Sequence, residues 1–420
     1  MAKPQIAPYG TWTSPITSDL IVSDSISLRG VMLAGEGILW LEGRPTEGGR
    51  YVIVARDPDG TTHDVNPEPT SARTRVHEYG GGAVIAGEGT VIFSNYADQR
   101  LYVVEGDAAP APLTAEADLR YADGVVDRER NRLICVREDH REATVAEHGE
   151  AVNTIAAVSL VDGGQQVLVS GNDFYAAPRL SPHGDQLAWL TWHHPNMPWD
   201  GTELWVADLS AEGTCENARR VAGGVDESIF QPTWSPDGIL TFVSDRTGWW
   251  NLYRLAPETG ESRCLVEMAA EFGLPQWVFG MSTYAYVSPT RIVCSYTQEG
   301  TDHLAWLDVQ QGELTDIALP YTTIGGVVAN ETTVCFRGGA PTRVSALVAM
   351  NVTTETLTVL KKATNLDFEA GYLSAPEPIT YPSVAPDGTA RMAHGLFYPP
   401  RNKDFIAPAG EKPPLLVFTH

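Results

Sequence analysis

Short apolar runs alternate with turn signals along most of the chain. In the middle, Ser235-Pro236-Asp237-Gly238 leads into the apolar run 239–243, and Leu252-Tyr253-Arg254-Leu255 follows about ten residues later. The same phrase stands earlier as Ser181-Pro182-His183-Gly184, an apolar run over 187–190, and Leu204-Trp205-Val206. Pro presets a turn and Gly supplies the positive φ that turns often require, so each phrase reads as turn, strand, gap, strand. Taking the first apolar residue of the second strand as anchor gives Val52, Leu101, Ile155, Leu204, Leu252, Leu304 and Leu347, with steps of 49, 54, 49, 48, 52 and 43 residues. Each anchor follows another apolar run: 37–41, 90–93, 132–136, 187–190, 239–243, 292–296 and 333–336. A unit near fifty residues suits four short antiparallel strands and their turns. One such sheet cannot bury both faces, whereas seven packed round an axis can. The pattern therefore predicts an all-β, seven-bladed propeller over 26–373.

Outside the repeats the pattern changes. Residues 1–25 are aromatic and turn-rich, and are expected to pack against something other than the ring. Helical periodicity is scarce, and its best segment is 265–272. From 374 onward, Pro-rich stretches frame a strand at 393–398, and the run Leu415-Leu416-Val417-Phe418-Thr419-His420 reads as a buried strand. A core strand needs neighbours on both sides, so 374–420 is expected to begin a further domain and the 420 residues to be a piece of a longer protein.

Composition narrows the partners. With 43% apolar and 20% charged residues the chain can build a core. The 53 acidic against 29 basic residues give a net charge of −24, which argues against nucleic acid or an anionic membrane as partner. No apolar run approaches the length of a membrane span, and 1–10 lacks the apolar core of a secretory signal. The five cysteines are odd in number, widely spaced and without a CxxC pair. They read as free thiols in a reducing compartment, so a cytoplasmic location is expected and two Asn-x-Thr triplets count as chance matches.

Several longer motifs carry a likeness. They are Arg75-Val76-His77-Glu78-Tyr79-Gly80-Gly81-Gly82, His194-Pro195-Asn196-Met197-Pro198-Trp199-Asp200-Gly201, Ser244-Asp245-Arg246-Thr247-Gly248-Trp249-Trp250-Asn251 and Glu271-Phe272-Gly273-Leu274-Pro275-Gln276-Trp277. In these the chain resembles the prolyl oligopeptidase family of serine peptidases, nearest the acylaminoacyl-peptidase and dipeptidyl aminopeptidase branch. The resemblance implies a propeller capping an α/β-hydrolase domain, with 374–420 as its first strands. It implies short peptides as substrates, an acyl-enzyme route, no metal or organic cofactor, and a propeller that excludes folded proteins. It also makes His420 the lead-in to an oxyanion loop, whose following glycines lie beyond the chain. Oligomeric state is left open.

The chemistry of a serine nucleophile needs a Gly-x-Ser-x-Gly elbow, and none occurs. The nearest run, Gly280-Met281-Ser282-Thr283-Tyr284, has Tyr where the second Gly belongs. No catalytic residue is therefore assigned within the chain, and the triad is expected beyond residue 420. Two readings stand for 77–82: a loop at the active-site entrance with Glu78 and Tyr79 meeting substrate, or a strand start whose glycines permit close backbone approach. A free α-amino group wants a nearby carboxylate, and Glu78, Glu227 or Glu271 could serve. His193 and His194 with Asp200 and Glu203 read as a loop rather than a metal site. Asp245-Arg246 reads as an ion pair tying strands, and Trp249 and Trp250 as packing between blades or a funnel lining. The rivals are a non-enzymatic propeller binding peptides or proteins, and a propeller-borne glycosidase, which would need paired carboxylates.

Overall fold

In the computed structural model, residues 3–23, 25–87, 89–256 and 259–418 are described. They form seven four-stranded antiparallel sheets, each from one contiguous stretch of chain. The first strands are Ser27–Ala34, Val84–Gly87, Leu119–Asp127, Phe174–Leu180, Ile229–Trp234, Tyr284–Ser288 and Thr323–Ala329. These pack against one another round an axis. Every anchor found in the sequence falls in a third strand, from Arg50–Arg56 in blade one to Arg343–Asn351 in blade seven. The fold is the seven-bladed propeller.

The middle two strands of each blade are buried on both faces, which is why they read as continuous apolar runs. Trp40, Phe93, Phe242 and Phe336 are at most 1% exposed there. Each such side chain contributes about 2–3 kcal/mol of burial. Outer strands such as Thr62–Asp64 face solvent. The ring closes without a strand shared between its ends. Ile26 N–H donates to Ala363 O at 2.8 Å, and Arg337 Nη1 donates to Leu28 O at 3.2 Å.

The expected helix at 265–272 is not formed. Strand Ser262–Cys264 ends there, and the chain crosses to the next blade in extended form. Asn251 explains this: its Oδ1 accepts from Met268 N at 2.8 Å and its Nδ2 donates to the carbonyls of Met268 and Ala270. Backbone groups satisfied by a neighbouring strand are not available to a helix. The α-helices among the described residues are Ser18–Val22 and Glu142–His148.

Beyond the ring, Glu377–Val384 pairs with Ala390–Phe397 as a hairpin. The amino-terminal strand Gln5–Ile6 pairs in parallel with Phe405–Ile406, and Asn402 Nδ2 donates to Thr13 O at 2.9 Å. The run expected as a buried strand is not one among the described residues. Residues 413–418 have no ladder partner, and Leu415 and Phe418 are 78% and 86% exposed. An apolar run forms a strand only where another strand offers its backbone groups. His420 and Thr419 lie outside the described residues.

Candidate functional site

Antiparallel order sorts the loops to two ends of the ring. Turns between first and second, and third and fourth, strands lie at one end, including both Ser-Pro-x-Gly turns. Turns between second and third strands, and the crossings from blade to blade, lie at the other. The second end collects 65–83, 140–151, 193–202, 245–250 and 265–283. Leu396 of the hairpin also reaches Gly300 at this end.

The loop 77–82 is shaped by its backbone. His77, Glu78, Gly80, Gly81 and Gly82 all have positive φ, from 51° to 88°. A Cβ on Gly80 would stand 2.3 Å from Thr74 O, and one on Gly81 2.4 Å from Phe279 O. The glycines thus serve close backbone approach. Phe279 N–H donates to Gly80 O at 2.9 Å, Asp123 N–H to Gly82 O at 2.9 Å, and Glu138 Oε1 accepts from His77 N at 2.7 Å.

His77 turns inward. Its ring packs on Phe279 at 4.7 Å, Phe174 at 5.3 Å and Trp192 at 5.6 Å, and its buried Nε2 has no hydrogen-bond partner. Burial pushes the imidazole below its ordinary pKa, against the opposing pull of Glu138, Asn153 and Asp123. The ring is therefore neutral at pH 7.

Glu78 and Tyr79 turn outward. Glu78 is 79% exposed, with Oε1 3.2 Å from Arg120 Nη1. Arg120 also lies 3.7 Å from Glu138 Oε2, which pairs with His140 Nε2 at 2.9 Å. An exposed pair of this kind is worth less than about 1 kcal/mol, so Glu78 can exchange its partner for another cation. Tyr79 meets Trp277 edge-on at 6.0 Å, and Trp277 lies 4.4 Å from Trp199. Three loops thus bring Tyr79, Trp277 and Trp199 together, and the first of these loops also carries the solvent-facing carboxylate of Glu78.

The other candidates go elsewhere. Glu271 Oε2 accepts from Trp250 N at 2.9 Å, and its backbone pairs with Thr297, so its carboxylate holds a crossing. Glu227 accepts from Ser244 Oγ at 2.6 Å and lies 2.7 Å from Arg246 Nη2. Asp245 and Arg246 do not pair with each other as expected: Asp245 Oδ1 accepts from Ser228 N at 2.8 Å. Neighbours along a chain at a strand end point apart, so each finds its own partner. His193 faces Asp173 at 3.3 Å and His194 faces Glu150 at 3.7 Å. Among the described residues no group of three or more His, Cys, Asp or Glu could hold a metal. Ser282 donates to Val327 O at 2.5 Å and accepts from Gln231 Nε2 at 3.1 Å, so its hydroxyl ties blades together. Arg120, Glu138 and Trp199 were not singled out from the sequence as candidate site residues. Trp199 stood inside a quoted motif, and nothing local marked the other two.

No protein-family model matches the chain, and no curated protein does. Among solved structures, 34% identity and a TM-score of 0.87 relate it to puromycin hydrolase and to a Mycobacterium tuberculosis puromycin-hydrolyzing peptidase. Prolyl oligopeptidase B from Galerina marginata, bound to a 25mer macrocyclization substrate, shares the fold at 11% identity and a TM-score of 0.62 over 88% of this chain and 55% of that one. With its seven blades, the chain shares this propeller fold and fits the propeller portion of the prolyl oligopeptidase family. The likeness to puromycin hydrolase covers 97% of this chain and 64% of the length of the relative.

Proposed function

We propose that the chain is the substrate-gating ring of a serine peptidase that releases amino-terminal residues from short peptides or aminoacyl amides. The observation that carries this is Glu78: an exposed carboxylate on a backbone-braced loop whose next residue, Tyr79, meets Trp277, at the ring end reached by the 377–397 hairpin. Puromycin, which the relatives are named for hydrolysing, is an aminoacyl amide with a free amino group. Glu78 would pair with that ammonium, and the aromatic rings would cover the first side chain. In this reading 1–25 packs toward the peptidase side, 26–373 is the ring and 374–420 opens an α/β-hydrolase domain that supplies the triad. The ring admits short chains and limits bulk water at the acyl-enzyme. Among the described residues no helix is long and apolar enough to cross a membrane, and the proposed site of action is the cytoplasm.

The test uses the full-length product. Glu78→Gln should raise KM for an aminoacyl p-nitroanilide about three- to tenfold. It should leave the N-acetylated analogue unchanged. Equal effects on both substrates would remove Glu78 from amine recognition. Absence of labelling by a fluorophosphonate probe would instead favour a ring that binds peptides without hydrolysing them.

A further inference from the structure

The inner strands of five blades carry a bulge at a residue of positive φ: Gly30, Asp123, Ala177, Gln231 and Gly326. A bulge disrupts the ladder and leaves backbone groups in need of other partners. At two seams the bulged residue reaches into the next blade. Asp123 Oδ2 accepts from Ala177 N at 2.7 Å while its Oδ1 meets Arg179 Nη1 at 3.1 Å. Gln231 Oε1 accepts from Thr283 N at 2.7 Å.

The closing seam, between blades seven and one, lacks this device. Gly326 holds the bulge and has no side chain to offer. A small cleft of about 20 Å³ opens there, lined by Arg29, Gly30, Gly325, Gly326 and Arg337 among others. That volume admits about one oxygen-sized polar group, so a carboxylate would enter with one oxygen and leave the rest of its molecule at the mouth. Arg337 donates to Leu28 O, and the Arg29 guanidinium lies over the Tyr51 ring at 5.7 Å. No ion pair joins either to a carboxylate among the described residues, although acids outnumber bases by 53 to 29. Arg337 is exposed to solvent, yet desolvation by the surrounding protein, and then the neighbouring Arg29, holds its guanidinium below its ordinary pKa.

The like charges of Arg29 and Arg337, which both line the cleft, repel each other, and a carboxylate between them would remove the repulsion and fill the role that Asp123 fills between blades three and four. We propose that the seam of blades seven and one is a carboxylate-binding site, with Arg29 and Arg337 as donors and the free C-terminal carboxylate of a short peptide as ligand. A guanidinium matches a carboxylate with paired N–H donors, and the glycine bulges leave the approach open. Binding at the site does not depend on the peptidase reading; the choice of a peptide end does.

The full chain should show a saturable rise in Tm with Ala-Ala-Ala at constant ionic strength. No rise is expected with Ala-Ala-Ala amide, and acetate should need about tenfold more to act. Arg337→Gln should weaken tripeptide binding about tenfold, the loss of one charge-assisted contact. Arg337→Lys should recover part of it. Relief of the Arg29 repulsion should keep Arg337→Gln folded, checked by circular dichroism, and Arg29→Gln gives the same readout independently. Absence of a saturable shift, an equal shift with the amide, or acetate acting at tripeptide concentrations would overturn the peptide ligand. A shift retained in both glutamine variants would overturn the site. Peptidase activity is not the readout, so failure of the peptidase reading would show separately.

Discussion

Replacing Gly81 with alanine should uncouple the site loop from the blade that supports it. Gly81 has φ of +88°, a conformation that costs an L-residue about 1–2 kcal/mol. The new Cβ would fall 2.4 Å from Phe279 O and 2.6 Å from Phe279 N. Both are backbone atoms, so no rotamer change relieves the contact, and overpacking of this kind costs about 1–3 kcal/mol. Moving the strands apart also loses the Gly80 O to Phe279 N–H hydrogen bond, worth about 1 kcal/mol. The total is about 3–6 kcal/mol. Gly48→Ala is the matched control: φ is +67°, but nothing lies within 4 Å of the Cβ position. It should cost only the backbone term, about 1–2 kcal/mol. Urea unfolding followed by tryptophan fluorescence separates the two. With an m-value of about 3 kcal/mol/M, Gly81→Ala should lower the midpoint by about 1–2 M and Gly48→Ala by about 0.3–0.7 M. Equal midpoints would refute the claim that close approach, rather than positive φ alone, requires glycine at the site loop.

Asp123→Ala should cost about 2–3 kcal/mol, because it leaves the buried Ala177 N–H without an acceptor, while Asp123→Asn should recover much of that by keeping the oxygen; urea midpoints decide it. His77 is held neutral by burial, so the unfolded chain binds a proton there that the folded chain does not. Stability should fall as pH drops below about 6.5, with this residue contributing up to about 1.4 kcal/mol per pH unit, and His77→Phe should flatten that part of the pH profile. Burial pushes the Cys135 and Cys335 thiols up to about 12 and raises Cys294 as well. Native protein at pH 8 should therefore leave these three unlabelled by a disulfide reagent over minutes, whereas denatured protein titrates all five.

The blades were legible because each needs its own middle strands, and a strand buried on both faces announces itself as an apolar run between turn residues. Leu252 and Leu304 mark third strands for that reason alone. Glycines 80–82 were legible as a tight place, though not which backbone they touch: Phe279 and Thr74 are that answer. The helix expected at 265–272 failed because Leu265, Ala270 and Phe272 are buried along an extended crossing pinned by Asn251. Apolar spacing over so short a run does not separate the two cases.

Local sequence determines what a segment does with its own backbone, so strand, turn and repeat were available from one chain read end to end. The site depends on residues brought together by ring closure. Arg120 meets Glu78 across 42 positions, Tyr79 meets Trp277 across blades, and Arg29 shares a cleft with Arg337 only because the last sheet returns to the first. Such pairs leave no periodic trace, because the geometry that joins them belongs to the ring and not to any one blade.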